Sequence, residues 1–222
     1  MRRVDNPELD RLILDHLSDL YHIKEKREGV HLSTLIYCLT RSFLDSQQSM
    51  LPTDEEVMLF ALGYGLQDVI TPKSATTTVF VKNGITFSPD FMMKLNGDDY
   101  HEIKTTRMSS KKTELPETWL TYMMGGCYMR GVKHYKLTVL HMMGNYAPPF
   151  PTIHSETIYF DEAELLSNWD YLLTRKEVYD TALELSKPPT PYQHNQEWEC
   201  NNCRYKLTCE ALSAVIRMEQ DE

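Results

Sequence analysis

The sequence predicts an α/β fold, a sheet with helices packed on it and a helical cap. Three observations predict it. Segments with apolar residues at spacings of three and four occupy the first 70 residues and residues 161–185. Between them, residues 77–106 hold short β-prone runs separated by Asn-Gly breaks. Residues 135–142, after a further helical segment, read as a buried strand. Helices, then a meander, a helix, two strands and a helix make a sheet covered by helices.

Each element has its own signal. In residues 7–26, Leu9, Leu12, Ile13, Leu17, Leu20 and Tyr21 form an apolar helical stripe, and Gly29 ends it. Ser33 is placed to cap a helix carrying Leu35, Ile36, Leu39 and Phe43, with Cys38 and Arg41 on it. Thr53 with Glu56 is a capping box opening a helix over 55–70, and Gly63 and Gly65 inside it permit close backbone approach. The runs 80–87, 91–95 and 100–103 are broken at Asn83-Gly84 and Asn96-Gly97, both hairpin signals. A polar, basic linker leads to a helix over about 116–130. Pro148, Pro149 and Pro151 mark a loop before a strand at 157–160. Asp161 caps a helix running to about residue 185, with Leu165, Leu166, Trp169, Leu172 and Leu173 on its inner side. A Pro-rich linker, 187–192, introduces the tail, and the chain has no internal repeat.

The 222 residues suffice for one domain with a full core, and a single domain over 1–222 is expected. Hydrophobic residues make up 41% and charged residues 25%, ordinary for a globular protein. No run approaches the ~20 apolar residues of a membrane span. The N-terminus has two arginines but no apolar segment after them, so no secretory signal is read and a cytoplasmic location, with no membrane partner, is expected. Five cysteines, an odd number, favour metal binding over disulfides. The formal net charge of −9 argues against binding nucleic acid through overall charge. Locally the balance reverses: Lys104, Arg107, Lys111, Lys112, Arg130, Lys133 and Lys136 face only Glu114 and Glu117 in that stretch. The acids concentrate in the N-terminal helix and in residues 161–222.

The stretch 88–104, SPDFMMKLNGDDYHEIK, carries candidate chemistry. A meander would hold Asp90 at one end of a strand. Glu102 and Lys104 alternate with Ile103, which puts both on one face of the sheet and Ile103 toward the core. Two carboxylates at one spot suit a hard cation such as Mg²⁺ or Mn²⁺. A lysine beside them can orient a water or steady charge on a phosphate. Three unrelated surface charges on a hairpin are the bland account of the same residues.

The tail carries a second constellation, Cys200, Cys203 and Cys209, spaced C-x2-C-x5-C. The C-x2-C loop presents two thiolates to one metal, Cys209 is near enough to be a third, and Cys38 and Cys127 are the candidates for a fourth. Spacing alone leaves zinc and iron–sulfur both open.

The Pro89-Asp90 pair and Glu102-Ile103-Lys104 resemble the active-site hairpin of the PD-(D/E)xK nuclease superfamily. With the cysteines, the chain over about 31–210 resembles the RecB-family iron–sulfur exonucleases, above all the CRISPR-associated adaptation nucleases and their phage homologues. The segment LSTLIYCLTRSF resembles their N-terminal cysteine motif, and Cys200, Cys203 and Cys209 match their C-terminal trio. The resemblance implies a mixed central sheet of the restriction-endonuclease-like type flanked by helices. It implies a helical lobe, about 31–45 with 190–215, closed by a [4Fe-4S] cluster on Cys38, Cys200, Cys203 and Cys209. Cys127 then reads as a small core residue. Such a cluster would staple the first and last parts of the chain together, so that its binding energy becomes folding energy.

The resemblance further implies a metal-dependent DNA exonuclease preferring single strands. Asp90 and Glu102 would hold Mg²⁺ or Mn²⁺, with the Ile103 carbonyl a further ligand, and Lys104 would position the attacking water. Two departures stand out. Relatives often place a metal-binding His where this chain has Gln67, an oxygen donor better suited to Mg²⁺. Their Gln-x3-Tyr on the next helix has no Gln here, and Tyr122 is the residue kept as a DNA contact, with Arg107, Lys111 and Lys112 on the backbone. The alternative expectation is a weak or inactive DNA-binding subunit of a CRISPR integration or recombination complex. A zinc-stabilised binding module is the third.

Overall fold

The computed structural model describes residues 7–21, 29–48, 50–93, 99–107, 114–146, 149–201 and 203–220. In chain order the elements are α1 (Pro7–Tyr21), β1 (Val30–His31), α2 (Leu32–Ile36), α3 (Leu39–Gln47), α4 (Asp54–Ile70), β2 (Phe80–Lys82), β3 (Ile85–Phe87), β4 (Phe91–Met93), β5 (Asp99–Thr106), α5 (Glu117–Arg130), β6 (His134–Tyr146), β7 (Pro149–Tyr159), α6 (Glu162–Glu184), a 3₁₀ turn (Glu197–Cys200) and α7 (Lys206–Gln220). The chain divides into two compact units, Met1–Lys26 with Leu51–Lys73, and Arg27–Met50 with Ser74–Glu222.

The first unit is a pair of helices, α1 and α4. Arg11 joins them, its guanidinium 2.9 Å from Asp54 Oδ1 while also bonding Asp15 one turn on. The predicted capping box opens α4: Thr53 Oγ1 accepts from the Glu56 amide at 3.2 Å, and Glu56 Oε2 accepts from the Thr53 amide at 3.0 Å.

The second unit is built on mixed sheets. Residues 80–106 do not form one continuous meander. β2 and β3 make a hairpin within a three-stranded sheet of order β1-β3-β2, with β1 parallel to β3. β4 and β5 belong to a four-stranded sheet of order β4-β5-β6-β7. The break falls at Ser88-Pro89, where proline supplies no amide to a ladder and restrains the residue before it. The Asn83-Gly84 turn forms as predicted, with φ of 52° and 72°, the two positive values a tight primed turn needs. Asn96-Gly97 lies outside the described residues.

β5 pairs with β6 in parallel, and α5 makes the crossover between them. β6 and β7 form a long antiparallel hairpin. The expected loop at Pro148–Pro151 and short strand at 157–160 therefore give way to one strand from Pro149. β7 is the sheet edge, where a missing amide breaks no ladder.

The helix expected from Ser33 is two helices. His31 caps α2, its Nδ1 accepting from the Ser33 amide at 3.2 Å. Cys38 caps α3, its sulfur accepting from the Arg41 amide at 3.5 Å. Tertiary partners replace the intrahelical bonds at the break. Buried Arg175 of α6 donates to the Leu35 carbonyl and, at 2.6 Å, to the Tyr37 carbonyl. Glu199 Oε1 accepts from the Cys38 amide at 2.8 Å.

The core joins Leu32, Leu35 and Leu39 to Ile85 and Phe87 of β3, Met123 and Cys127 of α5, Tyr135 and Leu137 of β6, and Trp169 and Leu172 of α6. α5 reaches the sheet through Gly125-Gly126. A Cβ at Gly126 would lie 2.5 Å from Phe87 Cζ. Gly126→Ala is therefore expected to destabilise by about 1–3 kcal/mol, the range for overpacking a core, although alanine is the better helix former. A denaturant midpoint unchanged or raised in that variant would contradict the packing. No helix among the described residues is long and apolar enough to cross a membrane.

Candidate active site and cysteine lobe

Asp90 sits just before β4, where Phe91 pairs with His101 across the β4-β5 ladder. That register brings Asp90 alongside the middle of β5, and its Oδ2 accepts from the Ile103 amide at 2.6 Å. On β5, Glu102 and Lys104 share a face and form an ion pair through Glu102 Oε1, as the alternation predicted. Ile103 points the other way and is buried. Glu102 is only 2% exposed, and its second oxygen, Oε2, accepts from the Tyr135 hydroxyl at 3.3 Å. The Lys104 side chain keeps 26% of its surface exposed. Its ammonium lies 5.4 Å from the centre of the Tyr122 ring, a cation–π contact.

Burial pushes the Glu102 carboxyl up to about 7; the Asp90 charge adds to the rise, while Lys104 and the hydrogen bonds from Lys104 and Tyr135 oppose it. Burial pulls the Lys104 ammonium down, but the Glu102 and Asp90 charges outweigh it and hold the amine above its ordinary value. The result is a half-open site with one buried carboxylate, a second carboxylate fixed by a backbone amide, and a cation that stays charged.

Tyr122 is 8% exposed, and its hydroxyl donates to the Ser88 carbonyl at 2.8 Å. What it touches is the loop leading into Asp90 and the Lys104 ammonium. Arg107 lies exposed just past β5. Lys111 and Lys112 lie outside the described residues. Gln67 is on α4 in the first unit, half-buried, its carbonyl accepting from the Thr71 amide at 2.8 Å. Cys127 is a core residue whose thiol donates to the His134 carbonyl at 3.3 Å; burial raises that thiol to about 12.

Cys38, Cys200, Cys203 and Cys209 line one narrow cavity, together with Arg41, Tyr192, Asn195, Glu199, Lys206. Burial, chiefly, pushes Cys38 and Cys200 above the ordinary thiol value and takes Cys209 to about 11, with the neighbouring cysteines adding to each rise. Among the described residues, no group of three or more His, Cys, Asp or Glu side chains is arranged to hold a metal ion. Protein contacts already tie this lobe together. The Leu39 amide donates to the His194 carbonyl at 3.2 Å, and Thr40 Oγ1 to the Pro189 carbonyl at 3.1 Å. Asp45 binds Arg204 and, at 2.7 Å, the Tyr205 hydroxyl.

Sequence reasoning missed Tyr135, Arg175 and Glu199. Arg175 had a signal: it falls on the buried stripe of α6 with Leu165, Trp169, Leu172 and Tyr179, where a charge must have partners. Tyr135 and Glu199 had none, because each acts across a long separation in sequence.

No protein-family model matches the chain, and no curated protein sequence does. Among solved structures the chain is similar to SSO0001, with a TM-score of 0.56 and 16% identity, over 92% of this chain and 97% of that one. It also matches LHK-Exo in complex with dAMP, with a TM-score of 0.48 and 11% identity, over 71% of this chain and 91% of that one. An alkaline exonuclease, LHK-Exo, from Laribacter hongkongensis matches with a TM-score of 0.37 and 10% identity, over 78% and 95%. The likeness to SSO0001 is one of fold. The other two fall too low to bear weight.

Proposed function

We propose that the chain is a metal-dependent deoxyribonuclease of the PD-(D/E)xK type, an exonuclease preferring single-stranded DNA. The observation that carries this reading is the arrangement on β5: Asp90 held against the Ile103 amide, beside the buried Glu102 paired with Lys104. Hard oxygen donors with one buried carboxylate fit Mg²⁺ or Mn²⁺, and the Ile103 carbonyl is the backbone donor between them. When bound, such an ion would acidify a water and neutralise charge on the phosphate.

The chain's own residues do the rest. Asp90 and Glu102 are the ligands. Lys104 stays protonated, so it serves by holding a water or a phosphate oxygen in place rather than by taking a proton. Tyr122 supports it from below, and Tyr135 fixes the Glu102 carboxylate by donating to Oε2. Arg107, exposed at the end of β5, is placed for the DNA backbone, an attraction that weakens with salt.

The four cysteines of the lobe are proposed to hold a [4Fe-4S] cluster. In support, all four line one cavity. The protein should then purify brown without oxygen, with iron and sulfide, and Cys38→Ala should lose most of both. Zinc in place of iron would overturn that part alone.

Folded protein incubated with end-labelled single-stranded DNA and Mn²⁺ or Mg²⁺ tests the activity. Metal-dependent cleavage that disappears in Lys104→Ala is expected, and the fate of the label gives the polarity. A folded, iron-loaded chain that binds DNA without cutting it is a binding subunit instead.

A further inference from the structure

Asn195 is among the residues that line the cavity shared by Cys38, Cys200, Cys203 and Cys209. Its Nδ2 donates twice, to the Gln196 carbonyl at 3.1 Å and to Cys200 Sγ at 3.2 Å. Two acceptors at one end of the amide identify that end as the nitrogen. The other end, Oδ1, is buried and has no hydrogen-bond partner among the described residues. A buried carbonyl oxygen without a donor is a cost that leucine, of similar size, would not carry. Packing alone therefore does not account for an asparagine here, whereas the bond to the Cys200 sulfur does.

The backbone on either side holds this amide in place. Before it, the His194 carbonyl accepts from the Leu39 amide at 3.2 Å and from Arg175 at 3.1 Å. After it, the Gln196 amide donates to Glu199 Oε2 at 2.7 Å, and Glu199 Oε1 accepts from the Cys38 amide at 2.8 Å. Asn195 is thus anchored to the segment that carries Cys38. Arg41 and Lys206 line the same cavity, and the Arg41 amide donates to Cys38 Sγ at 3.5 Å. The carboxylate of the lining, Glu199, gives both its oxygens to backbone amides. Donors and cations around sulfur favour added negative charge there.

We infer that Asn195 sets the reduction potential of a cluster held by the four cysteines, by donating to the Cys200 sulfur. This rests on the cluster reading of the lobe and deepens it. When bound, an iron–sulfur cluster takes up one electron, and its thiolate ligands share the added charge. A donor to one of those thiolates stabilises the reduced form more than the oxidised form, which raises the potential. Asn195 does this as a neutral group in contact with the sulfur, whereas the exposed Lys206 acts through a charge that salt screens.

The test uses the full chain purified without oxygen. Each protein is titrated with dithionite, followed by visible absorbance and electron paramagnetic resonance, and its iron and sulfide are measured. Asn195→Leu removes the donor at similar volume. Asn195→Asp keeps the shape but puts an acceptor where the donor was. Both variants are expected to hold as much iron as the parent and to be reduced at a more negative potential. Asn195→Asp should shift furthest, because its charge opposes the added electron. If both hold iron and are reduced at the parent's potential, Asn195 does not tune the cluster, and the cluster reading stands. If both lose the iron instead, Asn195 only ties the loop, and the inference is overturned. A parent that carries zinc, or no metal, overturns the inference and the cluster reading together.

Discussion

Asp90→Asn should lower metal-dependent cleavage by about 10³-fold, as loss of a metal-held transition-state charge does, while leaving the fold nearly as stable as before. The two effects separate because Asp90 has two tasks. As a carboxylate it is a candidate metal ligand. As an acceptor it takes the Ile103 amide at 2.6 Å, fixing the loop before β4 onto β5. Asparagine keeps a carbonyl oxygen for that amide but loses the charge. Asp90→Ala loses both, so it should match Asn in activity and also destabilise the protein by about 1–3 kcal/mol, the penalty for stranding a buried amide. Turnover with saturating Mn²⁺ and urea midpoints on the three proteins check this. Asp90→Asn retaining activity within a few-fold would remove Asp90 from the site.

Arg175→Met should cost about 3–5 kcal/mol, the range for breaking a buried charged network. The guanidinium bonds the carbonyls of Leu35, Tyr37 and His194, the last at 3.1 Å, and so joins α6, the break between α2 and α3, and the tail. Methionine fills the volume but removes the guanidinium from the buried Leu35 carbonyl and the part-buried Tyr37 carbonyl, and leaves the His194 carbonyl to the Leu39 amide alone. Arg175→Lys should be nearly as harmful, because one ammonium cannot span three carbonyls that a planar fork reaches together. The tail beyond the 187–192 linker should become sensitive to protease, and the iron of the proposed cluster should fall with it. Limited proteolysis and iron content read both effects. Stability equal to the parent in Arg175→Met would show that the tail is held without it.

Much of this was legible in the chain. Capping boxes at Thr53 and Asp161 mark helix starts because the signal is local: a side chain three residues from the amide it serves. The Asn83-Gly84 turn and the shared face of Glu102 and Lys104 were readable for the same reason. What was not legible depends on distant partners. The break at Tyr37-Cys38 is made by Arg175 and Glu199, far along the chain, and no periodicity in 31–48 announces it. The strand from Pro149 is possible only because it lies at a sheet edge, a fact of topology. At the site, Asp90, Glu102 and Lys104 were singled out by their alternation and by resemblance to the PD-(D/E)xK hairpin, but the burial of Glu102 and its bond from Tyr135 required β6 to lie beside β5.

The absent side chain at Gly126 has a reach beyond stability. Phe87 occupies the space a Cβ would take, and the same ring lies 5.3 Å from that of Tyr122, one helical turn earlier. Tyr122 in turn sits against the Lys104 ammonium. The Lys104 ammonium therefore rests on two stacked aromatic rings, Tyr122 and behind it Phe87, while it pairs with Glu102. The position of the proposed catalytic cation would then depend on the thickness of the core, so that a methyl group added at Gly126 would shift Lys104 without touching the site.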